Sequence, residues 1–334
     1  MSRIQAARWA DPVSAAADFL GNGAIEVNKY EDEIFDLVRR LSPFLLRVDR
    51  KPATGHPHRY FEETAIGVGG FTDPRNITPN PTGPTRVERP AMIKALTAQT
   101  NLSLFDVDVT RQQGQFAAVE AKDIADITNA IITTAAAAVW AGTDTSLSLP
   151  TTIQYVGLLN QITTQSVVAP GASIIDGIKS QVAELVAQVG FVVRPSAIWV
   201  NPVLGDYIDR EAKASQVTFD KVEIVGGVQV SSIQTQAGML PIISDPYIPT
   251  TAASTAAFGF SATPANFKGY YAVILMEPAV EMPVIHGGDG NLMPRLFQLG
   301  LLAGLQGQYV GVLFDCIIAK GAAYAHAVVQ VQRP

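Results

Sequence analysis

The segment spanning residues 48–95 constrains the fold of this chain more than any other part of the sequence. It holds seven prolines and five glycines, and proline lacks the backbone N–H that a helix or an inner strand would use. Charged side chains also concentrate here, so the segment cannot build a hydrophobic core. Short apolar runs around Tyr60, Phe61 and Phe71 are typical of strands. The pattern predicts a long two-legged hairpin that extends away from the body of the molecule.

The predicted length of this hairpin indicates what it rests on. With roughly twenty residues in each leg, at ~3.3 Å per residue, it would reach ~60 Å. A compact body of this chain length has a radius of gyration of only ~20 Å. We therefore expect the hairpin to lie on another molecule and not on its own body.

Composition narrows the classes of protein to consider. Charged residues make up 16% of the 334 residues, against roughly 25% in a typical soluble domain. A chain with so few charges is expected to cover much of its surface with partners. The net charge of −6 argues against a dedicated nucleic-acid-binding protein, because such proteins carry basic surfaces. The single cysteine, Cys316, excludes an intrachain disulfide and a cysteine-rich zinc site.

The N-terminal part of the chain is predicted to be an arm followed by a helix. Residues 1–25 are rich in small side chains, with Arg3, Arg8 and Trp9 as their large anchors, and such a terminus rarely orders by itself. From Val27 to Leu41 apolar side chains recur at helical spacing, and Asn28 can cap the predicted helix. The apolar side chains are Val27, Tyr30, Ile34, Phe35, Val38 and Leu41.

Two further helices are predicted in the body. The longer spans residues 113–141, and its second half is apolar nearly all round, so it must be covered on several sides. Gly142 ends it. The other spans residues 173–189 and begins at Ser173, which forms a capping pattern with Asp176.

The rest of the chain is interpreted mainly as strands. They are predicted over residues 96–109, 197–200, 221–225, 228–233, 241–247 and 270–276, with several more over residues 296–329. Residues 146–172 and 250–263 are expected to be irregular. Polar side chains within residues 296–329, such as Asp315 and Lys320, exclude a membrane span there. The fold class is therefore α+β without an internal repeat.

The sequence offers no convincing catalytic constellation. His56 and His58 lack a nearby third metal ligand and are more simply surface side chains of the hairpin. Cys316 and His326 could form a thiol–imidazole pair, but each lies in apolar strand sequence, where a buried, inert cysteine is far commoner. We expect no enzyme activity, no cofactor and no metal.

The order of the elements is more informative than any motif. An arm and helix (residues 1–47) precede a long hairpin (48–95), and strands and the long helix (96–145) follow. A region with the sequence AIWVNP after a helix (146–262) and a set of nearly uncharged strands (263–334) complete the chain. This organisation resembles the major capsid proteins of tailed phages with the Hong Kong 97 fold, a fold shared with encapsulin shells.

The resemblance assigns a role to each segment. In that family the hairpin is the E-loop, the long helix is the spine of a peripheral (P) domain, and an axial (A) domain follows. Lys51 and Lys94 lie at the base of the hairpin, so we do not expect the lysine cross-link that some family members form at the loop. The contacts expected between subunits involve Arg3, Arg8, Trp9, Arg59, Phe61, Phe71, Arg75, Arg86 and Arg89. The two phenylalanines would be apolar anchors, and the four hairpin arginines would pair with carboxylates of a neighbour.

The resemblance also implies partners and a location. The chain would assemble with itself into hexamers and pentamers of an icosahedral phage head that encloses double-stranded DNA without sequence-specific binding. A portal, a separate scaffolding protein and a decoration protein are the expected partners, with assembly in the host cytoplasm and no membrane. The alternatives left open are an encapsulin-like cargo shell and, in a different class, a homo-oligomeric enzyme with a swapped arm.

Overall fold

Two large β-sheets and one long helix organise the computed structural model. It describes residues 42–67, 69–71, 74–75, 83–103, 105, 108–109, 112, 119–215, 220–225, 228–288, 290–302 and 306–334. The helices are α1 (Pro43–Arg47), α2 (Val119–Ala141), α3 (Leu158–Gln161), α4 (Ile174–Val186) and α5 (Pro202–Ala214). The first eight strands are β1 (Asp49–Pro52), β2 (His58–Ala65), β3 (Thr85–Ala91), β4 (Lys94–Ser103), β5 (Gln165–Val168), β6 (Ala197–Val200), β7 (Asp220–Val225) and β8 (Val228–Thr235). The others are β9 (Gly238–Ser244), β10 (Thr250–Thr251), β11 (Lys268–Leu275), β12 (Val280–Val284), β13 (Arg295–Leu302), β14 (Gln306–Asp315), β15 (Ile318–Ala319) and β16 (Ala327–Arg333).

The first sheet has the order β5-β16-β11-β6-β9-β8-β7, with β10 on β11. Its central strand β6, the AIWV sequence, is buried throughout, as expected for a strand covered on both faces. Helices α4 and α5 pack on this sheet. Helix α4 begins at the predicted cap, where the Ser173 hydroxyl accepts a hydrogen bond from Asp176 N at 3.1 Å. The Glu211 carboxylate of α5 accepts a second one from Ile174 N at 2.8 Å, so α5 also stabilises the start of α4.

The second sheet joins β1, β12, β14 and β13 and adds β4 and β15. The long helix α2 packs on β4 and β14. A Cβ atom on Gly311 would lie only 2.7 Å from side-chain atoms of Ile127 and Ile131, so the glycine allows the helix to rest directly on the strand. Residues 122–141 are also long and apolar enough to cross a membrane, as are many core helices. In this structure the helix packs on the second sheet.

A buried junction connects the two sheets at the C-terminal end of α2. The Asp245 carboxylate accepts hydrogen bonds from the Ser42 hydroxyl, from Trp140 Nε1 at 3.2 Å and from Tyr247 N at 2.9 Å. Phe44 packs against the Trp140 ring with centroids 4.6 Å apart. The junction therefore holds α1, α2 and the loop after β9 together.

Helix α2 ends where the sequence predicts. Gly142 N donates to Ala138 O, and a Cβ atom on Gly142 would lie 2.4 Å from Tyr155 O. The glycine therefore permits the following chain to pass directly over the helix end.

Three sequence-based expectations need correction. The strand predicted over residues 96–109 ends at Ser103, and Asp108 and Val109 have helical backbone. Residues 146–172, expected to be irregular, contain α3 and β5, because β5 gains a parallel partner in β16 that is far away in sequence. The helix predicted over residues 173–189 ends at Val186. Residues 1–41 and 113–118 lie outside the described residues, as do Gly226 and Gly227 between the predicted strands 221–225 and 228–233.

Candidate functional site

The predicted hairpin is present as β2 and β3. The two strands pair antiparallel from His58 opposite Ala91 to Ala65 opposite Thr85. The paired legs therefore hold eight and seven residues instead of about twenty, and eight residues at ~3.3 Å span about 26 Å. The reach of ~60 Å expected from the sequence is too long for the paired strands.

One face of the hairpin lies against its own body. The Tyr60 ring lies beneath Lys320, with Nζ 5.6 Å from the ring centroid. The Glu62 carboxylate accepts a hydrogen bond from Gly321 N, and the Tyr324 hydroxyl donates to Glu63 O at 3.3 Å. The expectation that the hairpin rests only on another molecule is thus wrong for this inner face. Alternation along β2 turns every second side chain toward the body.

A buried carboxylate anchors the hairpin base. Glu281 is 5% exposed and lies 2.7 Å from Lys320 Nζ and 3.2 Å from Lys51 Nζ. Burial tends to raise the pKa of Glu281, but hydrogen bonds and charge from the two lysines outweigh it and hold that pKa below its ordinary value. Glu281 is therefore ionised and binds β1, β12 and the loop before Gly321 together.

The two histidines of the hairpin differ in their surroundings. Burial lowers the pKa of His58, and its Nδ1 accepts a hydrogen bond from Thr54 N at 3.2 Å, while Nε2 faces Glu281 at 3.8 Å. His56 is exposed. Among the residues that the structure describes, no group of three or more His, Cys, Asp or Glu side chains is placed to hold a metal ion.

The other face of the hairpin points outward and centres on Phe61. This ring is 72% exposed, and two ion pairs flank it. Arg59 lies 2.6 Å from Glu88, and Arg86 lies 3.2 Å from Glu63. The outward face therefore presents an apolar ring among charges that are already compensated.

The other predicted contact residues are distributed more widely. Arg89 pairs with Glu62 of the same hairpin at 3.1 Å, and Phe71 and Arg75 are exposed beyond the paired strands. Arg3, Arg8 and Trp9 lie outside the described residues. Arg59, Arg86 and Arg89 thus form ion pairs within the hairpin, and contacts to a neighbour stay a prediction.

A second surface, which the sequence analysis did not predict, lies on β4, β14 and β13. The register places Phe297 opposite Val310 and Val310 opposite Gln99, so the three share one face of the sheet. This outer sheet face comprises Thr97, Gln99, Arg295, Phe297, Val310 and Val312. It is turned away from α2, because Gly311 between the two valines meets the helix.

The outer sheet face carries little charge. Arg295 is its charged residue, and its guanidinium lies 5.7 Å from the ring centroids of Phe297 and Phe314. Phe297 is 44% exposed. The nearly uncharged strands after residue 263 could have indicated a surface with few charges. Only strand pairing determines which side chains share the face.

The thiol–imidazole pair considered from the sequence does not form. Cys316 is 2% exposed, and burial raises the pKa of its thiol. Burial also lowers the pKa of His326 to about 4. Both ring nitrogens of His326 are engaged by backbone groups, those of Met276 and Lys320. The ring therefore acts as a structural bridge.

A buried carboxyl group, Asp315, gives the protein a testable pH dependence. Burial raises its pKa to about 6, although the hydrogen bond that the Tyr155 hydroxyl donates to it acts in the opposite direction. Because the unfolded-state pKa is near 4, the unfolded chain ionises first as pH rises. Ionisation therefore lowers the free energy of unfolding progressively between about pH 4 and 6, and by a constant amount above that.

Replacing Asp315 by asparagine should remove this penalty. Asp315→Asn keeps an acceptor for the Tyr155 hydroxyl. We expect the free energy of unfolding of the variant, relative to that of the parent protein, to be about 2 kcal/mol higher at pH 7.5 than at pH 4.5. Urea unfolding of the unassembled subunit at both pH values measures the difference. Parallel pH profiles for the two proteins would contradict the assignment.

Among known proteins, this chain is similar to solved structures but to no family model or curated sequence. No protein-family model matches the sequence, and curated proteins give no significant sequence match. Among solved structures, the capsid of cyanophage A-1(L) matches with a TM-score of 0.64 at 13% identity, over 91% of this chain and 96% of that one. The head structure of Helicobacter pylori bacteriophage KHP40 matches with a TM-score of 0.61 at 12% identity, over 94% and 95%. The chain has the Hong Kong 97 fold.

The fold is shared beyond phages. The SrpI encapsulin of Synechococcus elongatus matches with a TM-score of 0.56 at 13% identity, over 94% of both chains. That the hairpin of β2 and β3 is the E-loop of this fold, and α2 its spine helix, stays a prediction. The α+β class and the family resemblance expected from the sequence are confirmed.

Proposed function

We propose that this chain is the major capsid protein of a tailed phage and assembles with itself into the icosahedral head shell. The observation that carries the proposal is the likeness to phage capsids over more than nine-tenths of both chains. The role is structural and not enzymatic.

The E-loop supplies one half of the proposed contact between subunits. Its outward face presents Phe61 between two internal ion pairs. Docking this face onto a neighbour covers an aromatic ring without burying an unpaired charge, which would be costly. The neighbour's outer sheet face, with Phe297 and Val310 and a single charge at Arg295, is a nearly uncharged acceptor for it. Phe71 and Arg75 would extend the contact, and Arg3, Arg8 and Trp9 of the arm would add a further one.

The proposed assembly fits the composition of the chain. A shell subunit shares its surface among many neighbours, which accounts for the low charged fraction of 16%. The net charge of −6 suits a container that encloses DNA without binding it tightly. We extend the proposal to hexamers and pentamers in a virion shell assembled in the host cytoplasm. A separate scaffolding protein, a portal and a decoration protein are its proposed partners.

Electron microscopy of the purified protein tests the proposal. We expect closed shells, or rings of five and six subunits, under conditions that favour assembly. Uniform dimers or tetramers would contradict it and would favour an oligomeric enzyme. Shells that consistently enclose one co-purified protein, and no nucleic acid, would favour a cargo shell of the encapsulin kind.

A further inference from the structure

The hairpin of β2 and β3 is joined to the body by two short links. Residues 53–57 connect β1 to β2, and residues 92–93 connect β3 to β4. The second link is held to the body by a backbone hydrogen bond that Met92 N donates. In the first link, Ala53 N donates to the end of β12, but residues 54–56 are exposed. Any movement of the hairpin relative to the body must therefore involve these two links.

A histidine side chain fastens the exposed link. The Nδ1 atom of His58 accepts a hydrogen bond from Thr54 N at 3.2 Å, and Thr54 Oγ1 accepts one from Arg59 N at 3.2 Å. Because Nδ1 is an acceptor, the neutral ring carries its proton on Nε2. His58 is only 7% exposed, so the ring is held in place while the link beside it faces water. The state of Nδ1 therefore determines whether the link stays closed.

Charged and titratable groups of the surrounding elements face the His58 ring. Its Nε2 lies 3.8 Å from the Glu281 carboxylate of β12, which binds Lys320 at 2.7 Å and Lys51 of β1 at 3.2 Å. The Tyr60 ring on β2 has its centroid 6.4 Å from that of His58. Burial lowers the pKa of His58, the charge of Lys320 acts in the same direction, and the attraction of Glu281 offsets them only in part.

We propose that His58 is a proton-sensitive latch: a second proton on its ring opens the link at Thr54 and frees the hairpin to turn relative to the body. A protonated Nδ1 can donate to Thr54 Oγ1, 3.2 Å away, but the Thr54 N–H then has its acceptor only in water. The imidazolium is also a third cation beside Glu281, which already binds two lysines. Its repulsion of Lys320 weakens the contact of that lysine with Tyr60 of the hairpin.

Acidification should open the latch. In the closed form the pKa of His58 lies below its ordinary value of 6.5, so the open form binds a proton first as the pH falls. The latch is fully effective above about pH 6.5 and weakens progressively below it. Asp315 acts in the opposite direction, because loss of its buried charge at acid pH stabilises the folded chain. A loosening of the hairpin at acid pH therefore does not come from Asp315.

Amide hydrogen exchange of the unassembled subunit at pH 7.5 and pH 5.0 tests the latch. After correction for intrinsic exchange rates, protection of the Thr54, Arg59 and Gly321 amides should fall at least about threefold at pH 5.0. A difference of about half a pKa unit between open and closed forms is enough for that change. Gly321 is included because its N–H donates to Glu62 of the hairpin. Amides of the buried strand β6 report global opening and should lose no protection.

Two histidine variants separate the latch from a general effect of acid. His58→Asn keeps an acceptor near the position of Nδ1 but binds no proton in this pH range, so protection at Thr54 should be the same at both pH values. His286→Asn is the matched control. The Nδ1 atom of His286 also accepts a backbone hydrogen bond, from Gly288 N at 3.1 Å, but this residue lies outside the hairpin and its links. The control should keep the response of the parent protein.

Either of two results would overturn the proposal. Equal protection at both pH values in the parent protein would mean that a proton does not open the link. A loss of protection at acid pH that persists in His58→Asn would mean that another group is responsible. Neither measurement requires shell formation, so failure of the latch and failure of the proposed function are distinguishable.

Nitrogen-15 NMR of the histidine rings tests the latch without any substitution. At pH 7.5 the Nδ1 atom of His58 should have the chemical shift of an unprotonated acceptor, and the ring should titrate below about pH 6.5. A proton on Nδ1 at pH 7.5, or a midpoint above pH 6.5, would contradict the proposal.

Discussion

A subunit that lacks the outer part of its E-loop is expected to fold normally and to form no shells. The variant replaces residues 67–83 by an Asn-Gly turn, which joins β2 and β3 directly. It keeps the inner contacts of Glu62 with Gly321 and of Tyr60 with Lys320. The free energy of unfolding should therefore change by less than about 0.5 kcal/mol, as for other surface changes.

Assembly should respond very differently. The removed residues include Phe71 and Arg75, which lie beyond the paired strands. We expect the yield of shells to fall at least about tenfold. A loss of about 1.4 kcal/mol per contact between subunits is enough for that effect. Electron microscopy and size-exclusion chromatography measure the yield. Normal shells from the shortened chain would show that the outer E-loop does not contribute to assembly.

A point substitution gives the matched test on the described part of the E-loop. Phe61→Asp should abolish assembly, because the carboxylate would lose its water on docking against Phe297 and Val310 of the outer sheet face. Phe61→Leu keeps an apolar side chain and should assemble. If both variants form shells equally well, Phe61 lies outside the contact.

Replacing Asp245 by alanine is expected to cause a large loss of stability for a single substitution. The carboxylate is fully buried and accepts hydrogen bonds from Ser42, Trp140 and Tyr247. Its removal leaves buried donors without an acceptor, at about 1–3 kcal/mol each. We expect the free energy of unfolding to fall by about 3–5 kcal/mol.

Urea unfolding of the unassembled subunit measures this loss. Asp206→Ala is the matched control, because Asp206 forms an exposed ion pair with Arg210 on α5, and such pairs contribute less than about 1 kcal/mol. Similar losses for the two variants would show that Asp245 is not the centre of the junction.

The sequence predicted the helix ends and strands that depend on residues close together in the chain. The start of α4 at Ser173 follows from a cap three residues from Asp176. The end of α2 at Gly142 follows from glycine, and the burial of β6 from the apolar run AIWV. Each depends on residues within a few positions of one another, so propensity and spacing were sufficient. The order of such elements also identified the fold.

Tertiary structure alone determined which distant residues meet. Glu281 binds Lys51 across 230 positions of the chain, and Asp245 accepts from Ser42 across 203. Arg59, Arg86 and Arg89 pair with glutamates of the same hairpin because strand register brings them together. The outer sheet face likewise exists only once β4, β14 and β13 are paired. Contacts of this kind arise from packing and register, which local spacing does not specify, so the sequence determined the elements and their order while the folded chain determined the surfaces.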